Sequence, residues 1–377
     1  MPKISEQICF YSDAAEWGGQ EILSARIANI LSSVFAKILF FHSCPKFQEV
    51  VNPKIQTVRL PFSASTPFPI FRDRSRSKQK IVEKLFLDCR VKNLVVCPGN
   101  IERCLPAIFA AHRSGIRTVS YYPMAFTQSE SGAALGKLRD LLAKSIYPLI
   151  SEWIVISKTQ ERLLQRFVTK ETPVHLLPNP LSWNFVDSPK IPRIPLKIAT
   201  IGRIYFLQKG QESIPIIAEK LKQQGFPFSF HIIGDGPDFK SLKSLIERHH
   251  FNENIVMSKW ISPNELQQMM KREFDLVFIP SHFEGEPLIL FEAMQCGLPI
   301  LVADREYVKE YDLPDWMLYS PGDLSEAASK IRDLDKNYNL KDFVETRKHL
   351  FSNRSDADFS RNVQQIFGKI FQKTLHG

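Results

Sequence analysis

Short apolar runs alternate with longer amphipathic segments along most of the chain. In the first half, apolar runs near 7–11, 37–41, 55–60, 93–97, 118–122, 153–157 and 174–177 predict strands. Helical spacing fills the gaps at 19–33, 78–88, 102–113, 134–148 and 159–167. The stretch 178–196 breaks the rhythm with prolines at 178, 180, 189, 192 and 195, and reads as an interdomain linker. The alternation then restarts. Strands are predicted at 197–201, 229–233, 254–257, 276–279 and 299–302, and helices at 211–224, 239–249, 263–270, 287–296 and 324–333. A polar segment from 342 to 374 keeps helical spacing to the end.

Strands regularly followed by helices imply βαβ units and parallel sheets. The 377 residues are too many for one ordinary core and suit two. The predicted fold class is therefore α/β, with two doubly wound, Rossmann-like domains facing a central cleft. The domains are placed at 1–182 and 183–355. A C-terminal helical segment, 356–377, is free to pack back on the N-terminal domain. Ligands of such folds sit beyond the C-terminal edges of the strands.

Charge changes the picture in one respect. Residues 1–180 hold 24 Lys+Arg against 14 Asp+Glu, so the whole net charge of +9 lies in the first half. An anionic membrane surface, an acidic acceptor and nucleic acid are the partners this suggests. The segment Phe68-Pro-Ile-Phe-Arg-Asp-Arg-Ser-Arg-Ser-Lys-Gln-Lys80 mixes apolar and basic residues, and Phe68, Ile70 and Phe71 are the candidates for insertion. No nucleic-acid module is recognisable, so no nucleic acid is expected as a partner. No apolar run reaches the ~18 residues of a membrane span, and the N-terminus does not read as a signal peptide. The expected location is cytoplasmic, peripheral at the inner face of a membrane. The six cysteines lack metal-ligand spacing and read as buried thiols in a reducing compartment.

The chemistry concentrates in the second half. In Ser281-His-Phe-Glu-Gly-Glu-Pro-Leu-Ile-Leu-Phe-Glu-Ala-Met-Gln-Cys-Gly-Leu-Pro299, a loop precedes a helix that Pro287 should open and Gly297 should close. The N–H groups of Leu288 and Ile289 would then be free to bind a diphosphate. Glu284 lies in the loop before that helix and Glu292 lies within it. Upstream, Ile201-Gly-Arg-Ile-Tyr-Phe-Leu-Gln-Lys-Gly210 ends a strand. Gly202 permits a sharp turn there, and Arg203 and Lys209 can clamp phosphate oxygens. Gly234 and Gly236 make a tight turn after the next strand, and Gly18 and Gly19 let backbone approach a ligand after the first.

These residues resemble the retaining glycosyltransferases of family four, the glycosyl transferases group one, which have the GT-B fold. The family pattern appears as Gly18, Gly19 and Glu21; as Pro178-Asn179-Pro180, with Pro in place of a glycine; as Gly202-Arg203 with Lys209-Gly210; as Gly234 and Gly236; and as Glu284 and Glu292 with seven residues between. The resemblance implies an enzyme that transfers a sugar from a UDP- or GDP-linked donor to a glycan or lipid-linked glycan, in cell-envelope polysaccharide synthesis. It implies retention of configuration, no cofactor and no metal. Arg203, Lys209 and Glu284 would be catalytic. Gly18, Gly19, Gly202, Gly234, Gly236, Gly285, Leu288 and Ile289 would line the donor site with Glu284 on sugar hydroxyls and Glu292 on the ribose. Two departures stand out. Glu286-Pro287 replaces the family's Phe-Gly, which puts an extra carboxylate near the sugar. No histidine occurs in Ser120-Tyr-Tyr-Pro-Met124, so Tyr121 or Tyr122 is the candidate hydrogen-bond donor on the acceptor side. The missing histidine also leaves open a second class, an inactive glycosyltransferase-like module that recruits a partner or an anionic surface.

Overall fold

The computed structural model describes residues 4–372 apart from 67, 182, 184 and 187. Thr374, the predicted end of the last helical segment, lies outside the described residues. Two compact units are present: residues 1–180 with 356–377, and residues 181–355.

The first unit is built on seven strands: β1 (Ile4–Ser12), β2 (Phe35–His42), β3 (Gln56–Arg59), β4 (Asn93–Val96), β5 (Arg117–Tyr121), β6 (Glu152–Val155) and β7 (Val174–Leu176). Their order is β3-β2-β1-β4-β5-β6-β7, and every pairing is parallel. Parallel strands covered on both faces need apolar residues throughout. β4 and β6 are accordingly buried along their whole length. One face packs Tyr11, Leu94 and Trp153 with the helices Arg76–Asp88 and Leu105–Arg113. The other packs Phe10, Phe40 and Val95 against helix Gly19–Leu31 and helix Asp356–Gln372.

The second unit contains β8 (Leu196–Ile201), β9 (Phe228–Ile233), β10 (Ile255–Ser258), β11 (Leu276–Ile279), β12 (Ile300–Ala303) and β13 (Leu318–Tyr319). Their order is β10-β9-β8-β11-β12-β13, again all parallel. Both sheets are doubly wound, and each reverses direction once, at β1/β4 and at β8/β11.

Several predicted boundaries move for identifiable reasons. The helix expected at 102–113 begins at Leu105, because Cys104 sits in the left-handed region at φ 59°. The helix expected at 134–148 shortens to Gly136–Ala143, with a 3₁₀ turn Tyr147–Leu149 that contains Pro148. β13 has two residues, too few to show alternation. The segment read as a linker is fixed from Leu181 onward. Leu181 N–H donates to Arg354 O, Val186 N–H to Gln295 O at 2.9 Å and Lys190 N–H to Gly297 O at 2.7 Å, all within the second unit. The polar C-terminal segment divides: helix Leu340–Phe351 buries Phe343 and Leu350 in the second unit, and helix Asp356–Gln372 belongs to the first.

That last helix completes a core. Phe367 is fully buried, stacks on Phe10 at 6.1 Å and lies 6.1 Å from Phe371. Arg26 pairs with Asp356 at 2.7 Å on the same interface. Phe367→Ala is expected to destabilise the first unit by about 3–5 kcal/mol, as large-to-small changes in a packed core do. A denaturant titration followed by circular dichroism measures it, and a loss below about 1 kcal/mol would mean the helix is not part of this core.

Candidate active site

In the second unit β8 and β11 lie side by side, and the chain leaves them toward opposite flanks of the sheet. The crevice beyond such a pair is where doubly wound sheets take their ligands. The two loops that enter it carry most of the residues singled out by sequence: Gly202 to Gly210 after β8, and Pro280 to Pro287 after β11.

Three contacts stitch these loops together. His282 N–H donates to Gln208 O at 2.7 Å. Lys209 Nζ donates to Glu284 Oε1 at 2.5 Å, and Gln208 Nε2 to Glu284 Oε2 at 3.5 Å. Glu284 is buried, and Lys209 keeps a fifth of its side chain exposed. The ammonium group beside this buried carboxylate offsets part of the cost of taking it out of water. Gly210 makes the approach possible. It adopts φ 64°, and a Cβ there would lie 2.4 Å from Pro280 O. Tyr307 OH holds the second loop from behind through Ser281 O at 3.0 Å. Arg203, by contrast, is exposed, with its guanidinium 5.9 Å from the Tyr205 ring centroid.

Gly234 and Gly236 have a structural explanation of their own. A Cβ on Gly234 would lie 1.9 Å from Gly202 O, and one on Gly236 would lie 2.2 Å from Ile204 O. Gly202 and Gly234 also adopt φ of 149° and 154°. Two turns therefore meet backbone to backbone. Ile204 N–H donates to Asp235 O, and Phe206 N–H to Asp238 Oδ2 at 2.8 Å. These glycines position the Arg203 loop by letting its neighbour in.

The start of helix Leu288–Gln295 corrects two expectations. Pro287 precedes the helix with φ −79° and ψ 81°, the geometry of an inverse γ-turn. Leu288 N–H closes that turn on Glu286 O at 2.9 Å, so it is not free for a ligand. Ile289 N–H has no backbone acceptor among the described residues. Glu286 is not an extra carboxylate for a sugar. It is buried and pairs with Arg354 at 2.7 Å, whose guanidinium lies 4.5 Å from the Phe291 ring centroid. Gly285, between the two glutamates, is buried as well.

Glu292 lies one turn into the helix and is only partly exposed. Burial pushes its carboxyl up to about 7, and no cation among the described residues offsets this. A half-buried acid lacking a partner is a marker of function as much as of strain.

In the first unit, Gly18 caps helix Gly19–Leu31, and its N–H donates to Glu21 Oε2 at 3.1 Å. Glu21 thus serves the helix end, with Gly19 as its first residue. The tyrosines read as acceptor-side donors are withdrawn from solvent. Tyr121 and Tyr122 are both fully buried; the former reaches Asn179 Oδ1 at 3.4 Å and the latter packs on Trp153. Their aromatic bulk goes to the core, so neither presents an edge to a ligand.

Sequence reading missed Asp13, which closes β1 at the β1/β4 reversal. One carboxylate oxygen accepts from Cys104 N–H at 3.2 Å, and Oδ2 has no hydrogen-bond partner among the described residues. Burial pushes this carboxyl up to about 6. The pairs Asp73–Lys78 at 2.6 Å, with the lysine half-buried, and Glu102–Arg139 at 2.6 Å belong to the same unit. A lone acid directly after an apolar strand was the one available signal for Asp13.

The Glu292 shift has a measurable consequence. Its carboxyl sits near 4.5 when unperturbed and near 7 in the fold, so between these values the folded protein binds a proton that the unfolded chain has lost. Stability therefore falls as pH rises through this window, and the loss is complete above it. Glu292→Gln removes the dependence. The variant should match the parent at pH 4 and exceed it by about 2–3 kcal/mol at pH 8, read from denaturant midpoints. Parallel pH profiles for the two proteins would refute the assigned burial.

Comparison with known proteins places this geometry. Residues 183–352 match the family model "Glycosyl transferases group 1". The lipopolysaccharide 1,6-galactosyltransferase of Escherichia coli K12 is 30% identical over 129 residues, covering 33% of this chain and 35% of that protein. Its Salmonella typhimurium counterpart is 26% identical over 179 residues, covering 46% and 48%. The matches thus span half or less of these relatives. Among solved structures, the apo form of the lipopolysaccharide outer core galactosyltransferase WaaB superposes with TM-score 0.69 at 17% identity, over 98% of this chain and 100% of that one. HepE of Anabaena, solved with UDP and glucose, superposes with TM-score 0.69 at 16% identity, over 97% and 99%. At such identities the superpositions establish the fold. The chain has the GT-B fold, and its C-terminal unit, over residues 183–352, is similar to the glycosyl transferases group 1.

Proposed function

We propose that the protein is a retaining, metal-independent glycosyltransferase that moves a sugar from a UDP- or GDP-linked donor to a glycan or lipid-linked glycan in cell-envelope polysaccharide assembly. The observation that carries this reading is the Lys209–Glu284 pair, which joins two loops at the β8/β11 reversal of a unit similar to that family. The relatives support the direction: two act on lipopolysaccharide by name, and another is a putative colanic acid biosynthesis glycosyltransferase.

Transfer breaks the bond between the anomeric carbon and the diphosphate oxygen, forms a new bond to an acceptor hydroxyl, and releases the hydroxyl proton. The demand on the protein is to position the donor and to stabilise the departing diphosphate. Lys209, Arg203 and the Ile289 N–H supply positive charge for that purpose. Glu284, paired with Lys209, accepts hydrogen bonds from sugar hydroxyls. Glu292 does the same for the ribose, and hydroxyl donors would offset the cost of its burial. A cytoplasmic location, peripheral to a membrane, accords with a lipid-linked acceptor.

Thermal unfolding with UDP, GDP, ADP and CMP and their sugars, in the presence of EDTA, tests the reading. One diphosphate nucleotide should raise the midpoint, by the equivalent of about 2.7 kcal/mol at a hundredfold excess over its Kd. Arg203→Ala, at an exposed position, should fold normally and lose about 1.5–3 kcal/mol of that binding. No shift with any nucleotide would turn the reading toward an inactive module. A shift seen only after a divalent metal is restored would overturn metal independence.

A further inference from the structure

Of the three apolar residues that the sequence suggested, the basic segment of the first unit presents only Phe71. Ile70 is fully buried, and Phe68 is half-buried with the Arg139 guanidinium 5.4 Å from its ring centroid. Phe71 is exposed, and it does not stand alone. The short helix Pro69–Arg72 packs against helix Gly136–Ala143, and that second helix leaves its own leucines uncovered. Leu135, Leu138 and Leu141 are 59%, 47% and 61% exposed, and Phe71 is 43% exposed. Leu138 and Leu141, three apart, share a helix face. Single exposed leucines are ordinary, but two on one short helix and a third at its N-cap, beside an exposed phenylalanine, form a patch.

The charges around this patch have one sign. Lys137 and Lys144 flank the leucines and are exposed, as are Arg72 and Arg76 on the neighbouring segment. Arg74 ties the two segments together through Ser145 Oγ at 3.2 Å. The acids nearby are turned to other work. Asp140 accepts from Gln128 N–H and Ser129 N–H and so caps a turn, Asp73 pairs with Lys78, and Glu102 pairs with Arg139. Among the described residues, no helix is long and apolar enough to cross a membrane. A short helix with outward leucines and a lysine rim instead suits an interface, where apolar side chains enter the acyl boundary and ammonium groups meet lipid phosphates.

We propose that helix Gly136–Ala143, with Phe71 beside it, is the surface by which this protein docks on an anionic lipid bilayer. The leucines supply apolar burial, and Lys137, Lys144, Arg72 and Arg76 supply selectivity for negative headgroups. The inference rests on exposure and charge and is independent of the sugar-transfer reading.

Vesicle co-sedimentation of the full chain tests it, with phosphatidylcholine vesicles compared with vesicles that also contain phosphatidylglycerol. The wild type should pellet with the anionic vesicles at low salt and be released at high salt, as a screened interaction requires. Leu138→Ser with Leu141→Ser should weaken pelleting by roughly tenfold or more, with an unchanged circular dichroism spectrum. Lys137→Glu with Lys144→Glu should remove the preference for anionic vesicles. Wild type that remains in the supernatant, or a leucine variant that pellets like wild type, overturns the proposal. So does a wild-type dimer that the leucine variant abolishes in light scattering while neither protein pellets, because a second copy then covers the face. Nucleotide-induced thermal shifts should be the same in all of these variants. Loss of the nucleotide shift with vesicle binding retained would fail the transferase reading and leave this one standing.

Discussion

The second unit depends on backbone approaching backbone. At its sheet reversal, the turn at Gly234 to Gly236 lies against the turn at Gly202 to Ile204 so closely that no side chain fits between them. Gly210 repeats the constraint against Pro280. These contacts fix two loops that would otherwise be independent, and only then can Lys209 reach Glu284. The ion pair is thus a product of glycine placement. A buried carboxylate is costly on its own, and here its cation comes from a loop that three separate glycines hold in register. Fixed loops matter for chemistry that consists mainly of positioning, where a small displacement of a charged group removes much of its effect.

Much of this was legible in the sequence because the relevant residues are local. Gly202, Arg203, Lys209, Glu284 and Glu292 fall within two short segments, each attached to a strand that its apolar run announced. Strand order was inferred only as a class, since parallel pairing joins distant segments. What was illegible was non-local. Glu286 reads in the sequence as an extra carboxylate near the sugar, because its partner, Arg354, lies 68 residues away. Tyr121 and Tyr122 were read as strand-end donors, but which end of an aromatic side chain meets the core is decided by neighbours such as Trp153. Pro287 obeyed its preference for a fixed φ, yet its ψ produced a γ-turn and moved the helix start by one residue. That single step consumed the Leu288 N–H.

The exposed leucines show the same limit from the other side. Helical spacing between 134 and 148 indicated a helix, and an amphipathic helix is normally assumed to turn its apolar face inward. Here Gly136, Arg139 and Ala143 face in and Leu138 and Leu141 face out. Arg139 goes inward because Glu102 and Gln128 are there to receive its guanidinium. The inversion is therefore set by a buried ion pair, not by hydrophobicity.

The helix Asp356–Gln372 has a consequence for biosynthesis. It is translated only after the whole second unit has been made, yet Phe359, Val363, Phe367 and Phe371 belong to the core of the first. While the ribosome is still producing the middle of the chain, Phe10 and Phe35 lack Phe367 and Phe371, the rings they finally meet. The order of synthesis thus differs from the order in which cores can close, and the second unit, continuous in sequence, is free to finish before the first.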